Sequence, residues 1–373
     1  MRIKDFAVER YFAKYEFTAK YLLSSSDCDG YGMDYVFGVA SDSEKQLWEN
    51  LKLGYTETVG SEFLRVAIKQ HYQTIQLDEI LVASPGEANF ILMNVLLNAG
   101  DHVICMTPMY QSLYQVAKDI GCNITYWEPT IEHGRWYYNP SDLKNLIQDN
   151  TKLIIVNFPH NPTGFSPSVD EFKYIVELAR QSGIAIFSDE MYRFLNHGCN
   201  TLPSASDLYE NAISLWGTAK TFGLAGLRLG WLTSKNKQLL RKVESFKDYL
   251  SICSSAPSEV LGTIALNHME GFVEPNLAKI KANISIFEQF HKRNAELFNF
   301  PKPVSGSTAF IKLNIKESTM DFAERLVEET GIMILPSELF EYGNSHTRIG
   351  FGRKNMPEIL SILEDYLKKG EKG

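Results

Sequence analysis

The feature that most constrains this chain is a run of strand and helix signals in alternation from residue 80 onward. Ile80-Leu81-Val82-Ala83, His102-Val103-Ile104-Cys105-Met106, Ile124-Thr125-Tyr126-Trp127, Leu153-Ile154-Ile155-Val156-Asn157 and Ile184-Ala185-Ile186-Phe187 are short and almost continuously apolar. A strand that is apolar at successive positions buries both of its faces. Helical patterns separate these strands at residues 87–98, from Tyr110 to about 120, and at 168–181. Such alternation predicts an α/β fold whose large domain has a mostly parallel sheet covered by helices on both faces. In sheets of that kind ligands bind beyond the carboxyl ends of the strands. Pro85-Gly86, Tyr110, Asn161, Asp189 and residues 218–220 all fall at that end.

A second feature sits inside this frame. Ala212-Ile213-Ser214-Leu215-Trp216 reads as a buried strand, breaks into a turn of small residues that carries Lys220, and resumes as a strand over residues 228–233. Lysine is among the residues least often buried. Desolvated, it loses proton affinity and becomes a candidate nucleophile for a Schiff base. Thr218 and Arg228 flank it, a hydroxyl donor and a planar fork suited to a phosphate. An isolated Ser/Thr-x-Lys is usually a surface loop with a solvated lysine, so its neighbours decide.

The rest of the chain narrows the class. Beyond residue 233 the pattern is helical at 235–250, 258–268 and 274–298. It then mixes strands at 310–313, 333–335 and 347–351 with helices at 321–331 and 357–368. This suggests three parts: an aromatic N-terminal arm (1–35) that packs on something larger, a large domain (36–255), and a small α+β domain (256–373). A net charge of -8 without a concentrated basic stretch argues against a nucleic-acid surface. The apolar run at 88–99 is shorter than the roughly 20 residues of a membrane span. No apolar core follows Met1-Arg2-Ile3-Lys4-Asp5, so no secretory leader is expected. Cys28, Cys105, Cys122, Cys199 and Cys253 have no metal-site spacing and suit reduced thiols, so the expectation is a cytoplasmic enzyme without a metal. No G-x-G-x-x-G follows a strand, which argues against a nicotinamide dehydrogenase.

Three motifs now fall in order: Asn161-Pro162-Thr163-Gly164, Ser188-Asp189-Glu190-Met191-Tyr192, and Thr218-x-Lys220 continued to Gly226-x-Arg228. Together they resemble the fold type I pyridoxal-5′-phosphate enzymes of the class I/II aminotransferase group, over nearly the whole chain. The resemblance implies an aspartate aminotransferase-like fold, with the N-terminal arm (1–35) against the small domain and the substrate pocket, and transamination between an L-amino acid and a 2-oxo acid. Lys220 would hold the cofactor as a Schiff base and then move the Cα proton. Asp189 would face the pyridine nitrogen, making the ring an electron sink. Asn161 and Tyr192 would bond the ring 3′-oxygen, and Tyr110 would cover one ring face. For the phosphate it implies backbone N–H groups at Gly86, Glu87 and Ala88, where a helix begins, together with Thr218 and Arg228. The Glu87 side chain must then point away.

Arg348 would grip the substrate α-carboxylate, with Arg353 a weaker candidate. Ser26 stands where the family usually has a glycine whose backbone meets the same carboxylate, and Cys28 where proline is common. Tyr55 aligns with a tyrosine that reaches the phosphate of a partner subunit, implying a homodimer with shared sites. The same constellation also serves C–S β-elimination, decarboxylation and cofactor-assisted oxidation, and a silent binding module could keep the fold. Arg10, Arg135 and Arg193 stay open as a second substrate arginine. Asp27 and Asp29, ordinary turn formers, could instead favour a basic substrate.

Overall fold

The computed structural model describes residues 3–370. Seven strands form the central sheet: β1 (Ile80–Ala83), β2 (His102–Met106), β3 (Asn123–Trp127), β4 (Thr151–Asn157), β5 (Ala185–Asp189), β6 (Ala212–Gly217) and β7 (Gly230–Thr233). Their order across the sheet is β1-β7-β6-β5-β4-β2-β3, and β7 alone runs antiparallel to its two neighbours. The continuous apolar runs have the expected cause. Ile80 and Val82 belong to one core layer and Leu81 and Ala83 to the other; Trp216 and Trp231 divide from Leu215 and Leu232 in the same way. Successive side chains point to opposite faces, and both faces are covered. No described helix is long and apolar enough to cross a membrane.

A second, antiparallel sheet lies toward the C-terminus, in the order Phe298–Asn299, Thr308–Leu313, His346–Gly350, Leu335–Pro336. The N-terminal segment joins this region directly, because Tyr21–Leu22 pairs in parallel with Ile332–Met333. Ahead of it, helix α1 (Ala7–Tyr15) buries Val8, Tyr11 and Tyr15.

Several boundaries differ from expectation. The long helix begins at Met269 and runs through Pro275 to Arg293, while Phe298 is already a strand residue. The expected start at residue 274 is thus late by less than two turns, and Pro275, which would suit a first turn, lies inside the helix. The second strand after Lys220 begins at Gly230, since Arg228 adopts a left-handed φ of 51°. Two elements carried signals that went unread. His133-Gly134, both at positive φ, turns the hairpin Thr130–Glu132/Arg135–Tyr137. Asn139 caps the helix Pro140–Leu146, with proline at its first position.

Candidate active site

At the carboxyl ends of the parallel strands lies a cavity of about 360 Å³. Pro85 and Gly86 reach it from just past β1, Tyr110 from past β2, and Asn157 and Asn161 from the end of β4. Asp189 closes β5, and Ala219 and Lys220 follow β6. Arg348 comes from the second sheet, and Ser25, Ser26 and Asp27 from the N-terminal loop.

Lys220 lies in the short helix Thr218–Thr221, half-buried rather than wholly desolvated, and its Nζ donates to Ser26 Oγ at 2.9 Å. Asp189 and Glu190, adjacent at a strand end, diverge as strand alternation requires. Glu190 turns away to Ser204 and the Ala205 amide. Asp189 Oδ1 accepts from the Met191 amide at 3.0 Å, and its carboxylate lines the cavity. Burial pushes the Asp189 carboxyl up to about 7, against the pull of the Met191 N–H and, more weakly, Lys220.

Asn157 organises the neighbourhood, and motif matching missed it. Its Oδ1 accepts from the Asn161 amide at 2.8 Å, and its Nδ2 donates to Asp189 O at 3.0 Å. Asn161 Oδ1 in turn accepts from Arg348 Nη1 at 3.1 Å. Arg348 Nε donates to Ser24 O at 3.0 Å, and Nη2 has no partner among the described residues. The guanidinium is 1% exposed, and an unpaired buried charge is costly. Tyr192 presents the same situation in neutral form: it is buried, lines the cavity, and its hydroxyl has no partner among the described residues.

The loop at 24–27 is held down by close backbone approach. Gly350 N donates to Leu23 O at 2.7 Å, Ser307 Oγ donates to Ser26 O at 2.6 Å, and a Cβ on Gly350 would come within 1.8 Å of Ser25 O. Only a glycine lets the loop sit there. Arg353 is taken by Asp27 at 2.9 Å, and Asp29 is turned toward Lys279 at 2.9 Å, so neither Asp29 nor Arg353 lines the cavity. Arg10, Arg135 and Arg193 do not line it either; Arg193 is packed over Tyr72, Phe194 and Trp216.

Two of the expected phosphate donors are not delivered. Thr218 is fully buried, does not line the cavity, and its hydroxyl donates to Leu229 O at 3.2 Å. It stands two residues before Lys220 on one helical turn, and such residues face away from each other. The Ala88 amide already donates to Ser84 O at 2.9 Å. The helix Pro85–Leu96 starts with a proline, so the amides left free in its first turn are those of Gly86 and Glu87. The Glu87 carboxylate points away, accepting from the Ser251 amide at 3.2 Å. Arg228 lines the cavity and is exposed, with one long bond of 3.4 Å to Ala225 O. Its left-handed backbone is uncommon for a residue with a side chain and is the kind of local strain that accumulates at ligand sites. Tyr55 is 89% exposed and lies outside this chain's own cavity.

Residues from helix α1 also went unread in the sequence. Glu9, Phe12 and Glu16 line the cavity, and the Tyr110 hydroxyl donates to Glu9.

Fold and site together define the class: the chain belongs to the class I and II aminotransferase family, whose model matches residues 18–363. It is a pyridoxal-5′-phosphate-dependent transferase of that class. Capreomycidine synthase of Streptomyces vinaceus is 26% identical over 100% of this chain and 94% of that protein. Aspartate aminotransferase of Sulfurisphaera tokodaii is 28% identical over 83% of each chain. The crystal structure of a PLP-dependent aminotransferase from Streptococcus suis matches with a TM-score of 0.91 at 27% identity, covering 99% of both chains.

The residues present fit the cofactor. A lysine amine, a buried carboxylate, an unpartnered buried tyrosine hydroxyl, free helix N-terminal amides and an exposed arginine share one cavity. They are the groups needed to meet an aldehyde, a ring nitrogen, a ring oxygen and a phosphate.

Proposed function

We propose that the chain transfers an amino group from an L-amino acid to a 2-oxo acid, in a site that its large domain (36–255) shares with the N-terminal arm and the small domain. One observation carries this reading: Lys220, Asp189 with Tyr192, and Arg348, from three separate segments, converge on one cavity, and Arg348 Nη2 and Tyr192 Oη lie buried without partners among the described residues. Buried polar groups are nearly always satisfied, and an exception beside a cavity is met by a ligand or an ordered water.

When bound, the cofactor supplies an electron sink that stabilises the charge left when a bond to the substrate Cα breaks. Lys220 Nζ would hold the cofactor aldehyde and is the base placed to move the substrate Cα proton. The Asp189 carboxylate holds the proton on the ring nitrogen. Tyr192 Oη and the Asn161 side-chain Nδ2 would bond the ring oxygen, and the Tyr110 ring would cover one face. The Gly86 and Glu87 amides and Arg228 hold the phosphate, a helix N-terminus and a charged fork acting together. Arg348 Nη2 receives the substrate α-carboxylate, while Nε and Nη1 stay fixed to Ser24 and Asn161 and set its orientation; the Ser26 backbone flanks the same carboxylate. Tyr55, exposed on its own chain, reaches the phosphate of a second copy in a homodimer.

The test is Lys220→Ala with borohydride reduction. The wild-type chain should carry cofactor fixed to the peptide containing residue 220 and lose its visible absorption on reduction; the variant should carry none. Cofactor fixed to the variant would refute the assignment.

A further inference from the structure

Helix α1 has two faces that the sequence encodes at the same spacing. Val8, Tyr11 and Tyr15 enter the core, and Glu9, Phe12 and Glu16, one position on, line the active-site cavity. Steps of three and four residues keep each set on one side of the helix.

The charges lining this cavity can be matched one by one. Under the reading above, Lys220 meets the cofactor aldehyde, Arg228 its phosphate, Arg348 the α-carboxylate and Asp189 the ring nitrogen. Asp27 is paired with Arg353 at 2.9 Å. Glu9 and Glu16 remain. Neither has a cationic partner among the described residues; Glu9 accepts only from the Tyr110 hydroxyl, and Glu16 has no side-chain hydrogen bond. Burial raises the Glu16 carboxyl above its ordinary range, and Asp27 and Glu9 raise it further against the weaker pull of Lys220 and Arg353, neither of which is within bonding distance. Two unpaired carboxylates on one wall of a cavity are unfavourable until a cation joins them.

The same cavity independently calls for a ligand with an anionic head, since Arg348, a lining residue only 1% exposed, leaves Nη2 buried without a partner among the described residues. An amino acid held there by its α-carboxylate has its side chain left to meet the remaining wall. We propose that this side chain ends in a cation, a guanidinium or an ammonium, received by Glu16 and Glu9. The proposal rests on the reading that Arg348 takes the α-carboxylate. A dicarboxylic substrate would place its second carboxylate against two unpaired ones, with every lining arginine already engaged.

The test uses holoenzyme and two pairs of ligands that differ in charge but little in shape: L-arginine with L-citrulline, and L-lysine with L-norleucine. L-Aspartate is the acidic control. Titration calorimetry reads affinity without requiring turnover. At least one cationic member should bind about tenfold or more tighter than its neutral partner, the size of one hydrogen bond to a charged group. Glu16→Gln should bring that ratio back toward one, and aspartate should bind most weakly. Equal affinities within both pairs, or tighter binding of aspartate, would overturn the proposal. Borohydride fixation at Lys220 separates the two levels. A chain that fixes cofactor there yet ignores side-chain charge refutes this proposal alone. A chain that fixes none refutes the site reading and this proposal with it.

Discussion

Replacing Asp189 with asparagine removes the buried acidic group that faces the cofactor site. Burial pushes this carboxyl from 3.8 to about 7; the Met191 amide opposes the rise, Glu190 adds to it and Lys220 opposes it. An unfolded aspartate ionises at the ordinary value, so between the two values the folded chain holds a proton that the unfolded chain releases. A group raised in this way contributes stability that is fully present below the unfolded value and is lost as pH climbs through about 7. At about 1.4 kcal/mol per pH unit, the loss comes to about 4 kcal/mol. Asparagine has nearly the same shape, keeps an oxygen for the Met191 N–H, and does not titrate.

The cofactor-free Asp189→Asn chain should therefore gain on the wild type by up to about 4 kcal/mol from about pH 4 to about pH 8. Urea unfolding of both apoproteins across that range measures the gap directly, because the two chains differ only at this group. Cofactor should reverse the order, since a protonated ring nitrogen supplies the cation that the wild-type carboxylate lacks. Parallel stability curves for the two apoproteins would refute the reasoning, and so would a variant that falls behind as pH rises. In the loaded enzyme the same substitution should leave phosphate contacts intact while slowing Cα proton exchange by several orders of magnitude, each tenfold being about 1.4 kcal/mol in the barrier.

Tyr192→Phe should show opposite signs in two assays. It removes a buried hydroxyl without a partner, so apoprotein stability should hold or rise, while cofactor affinity falls by roughly 1–3 kcal/mol; a destabilised apoprotein would count against the role. For Tyr55, Tyr55→Phe subunits mixed with Lys220→Ala subunits should restore normal cofactor affinity in about half of the hybrid's sites, because one site collects both defects and the other none; a monomer by light scattering, or no recovery, would end the idea of a shared site.

The sheet was legible because burial on both faces leaves an unambiguous mark. Ile155 and Val156 point to opposite faces of the sheet and both are buried, so both must be apolar and strand β4 could be read without knowing its neighbours. The carboxyl-end rule then placed Asp189 and Asn161 near one another across adjacent strands. The antiparallel β7 was not legible as such, because strand direction depends on which neighbour it joins rather than on its own residues.

The departures within the site follow from geometry that a linear motif does not contain. Thr218 and Lys220 are close in sequence, but one helical turn sends the threonine into the core and the lysine into the cavity. A motif records spacing, and spacing becomes direction only once the local period is known. Helix α1 presents the converse case. Glu9 is 101 residues from Tyr110 yet accepts its hydroxyl hydrogen bond, and nothing local in either segment announces the meeting. What the sequence does hold is the doubled pattern at 8, 11, 15 and 9, 12, 16: one apolar face to anchor the arm, and a second carrying two carboxylates. An arm anchored only for stability would expose that second face to water. Here it faces the reacting centre instead, so the residues least recognisable by family motif are those in position to choose the substrate.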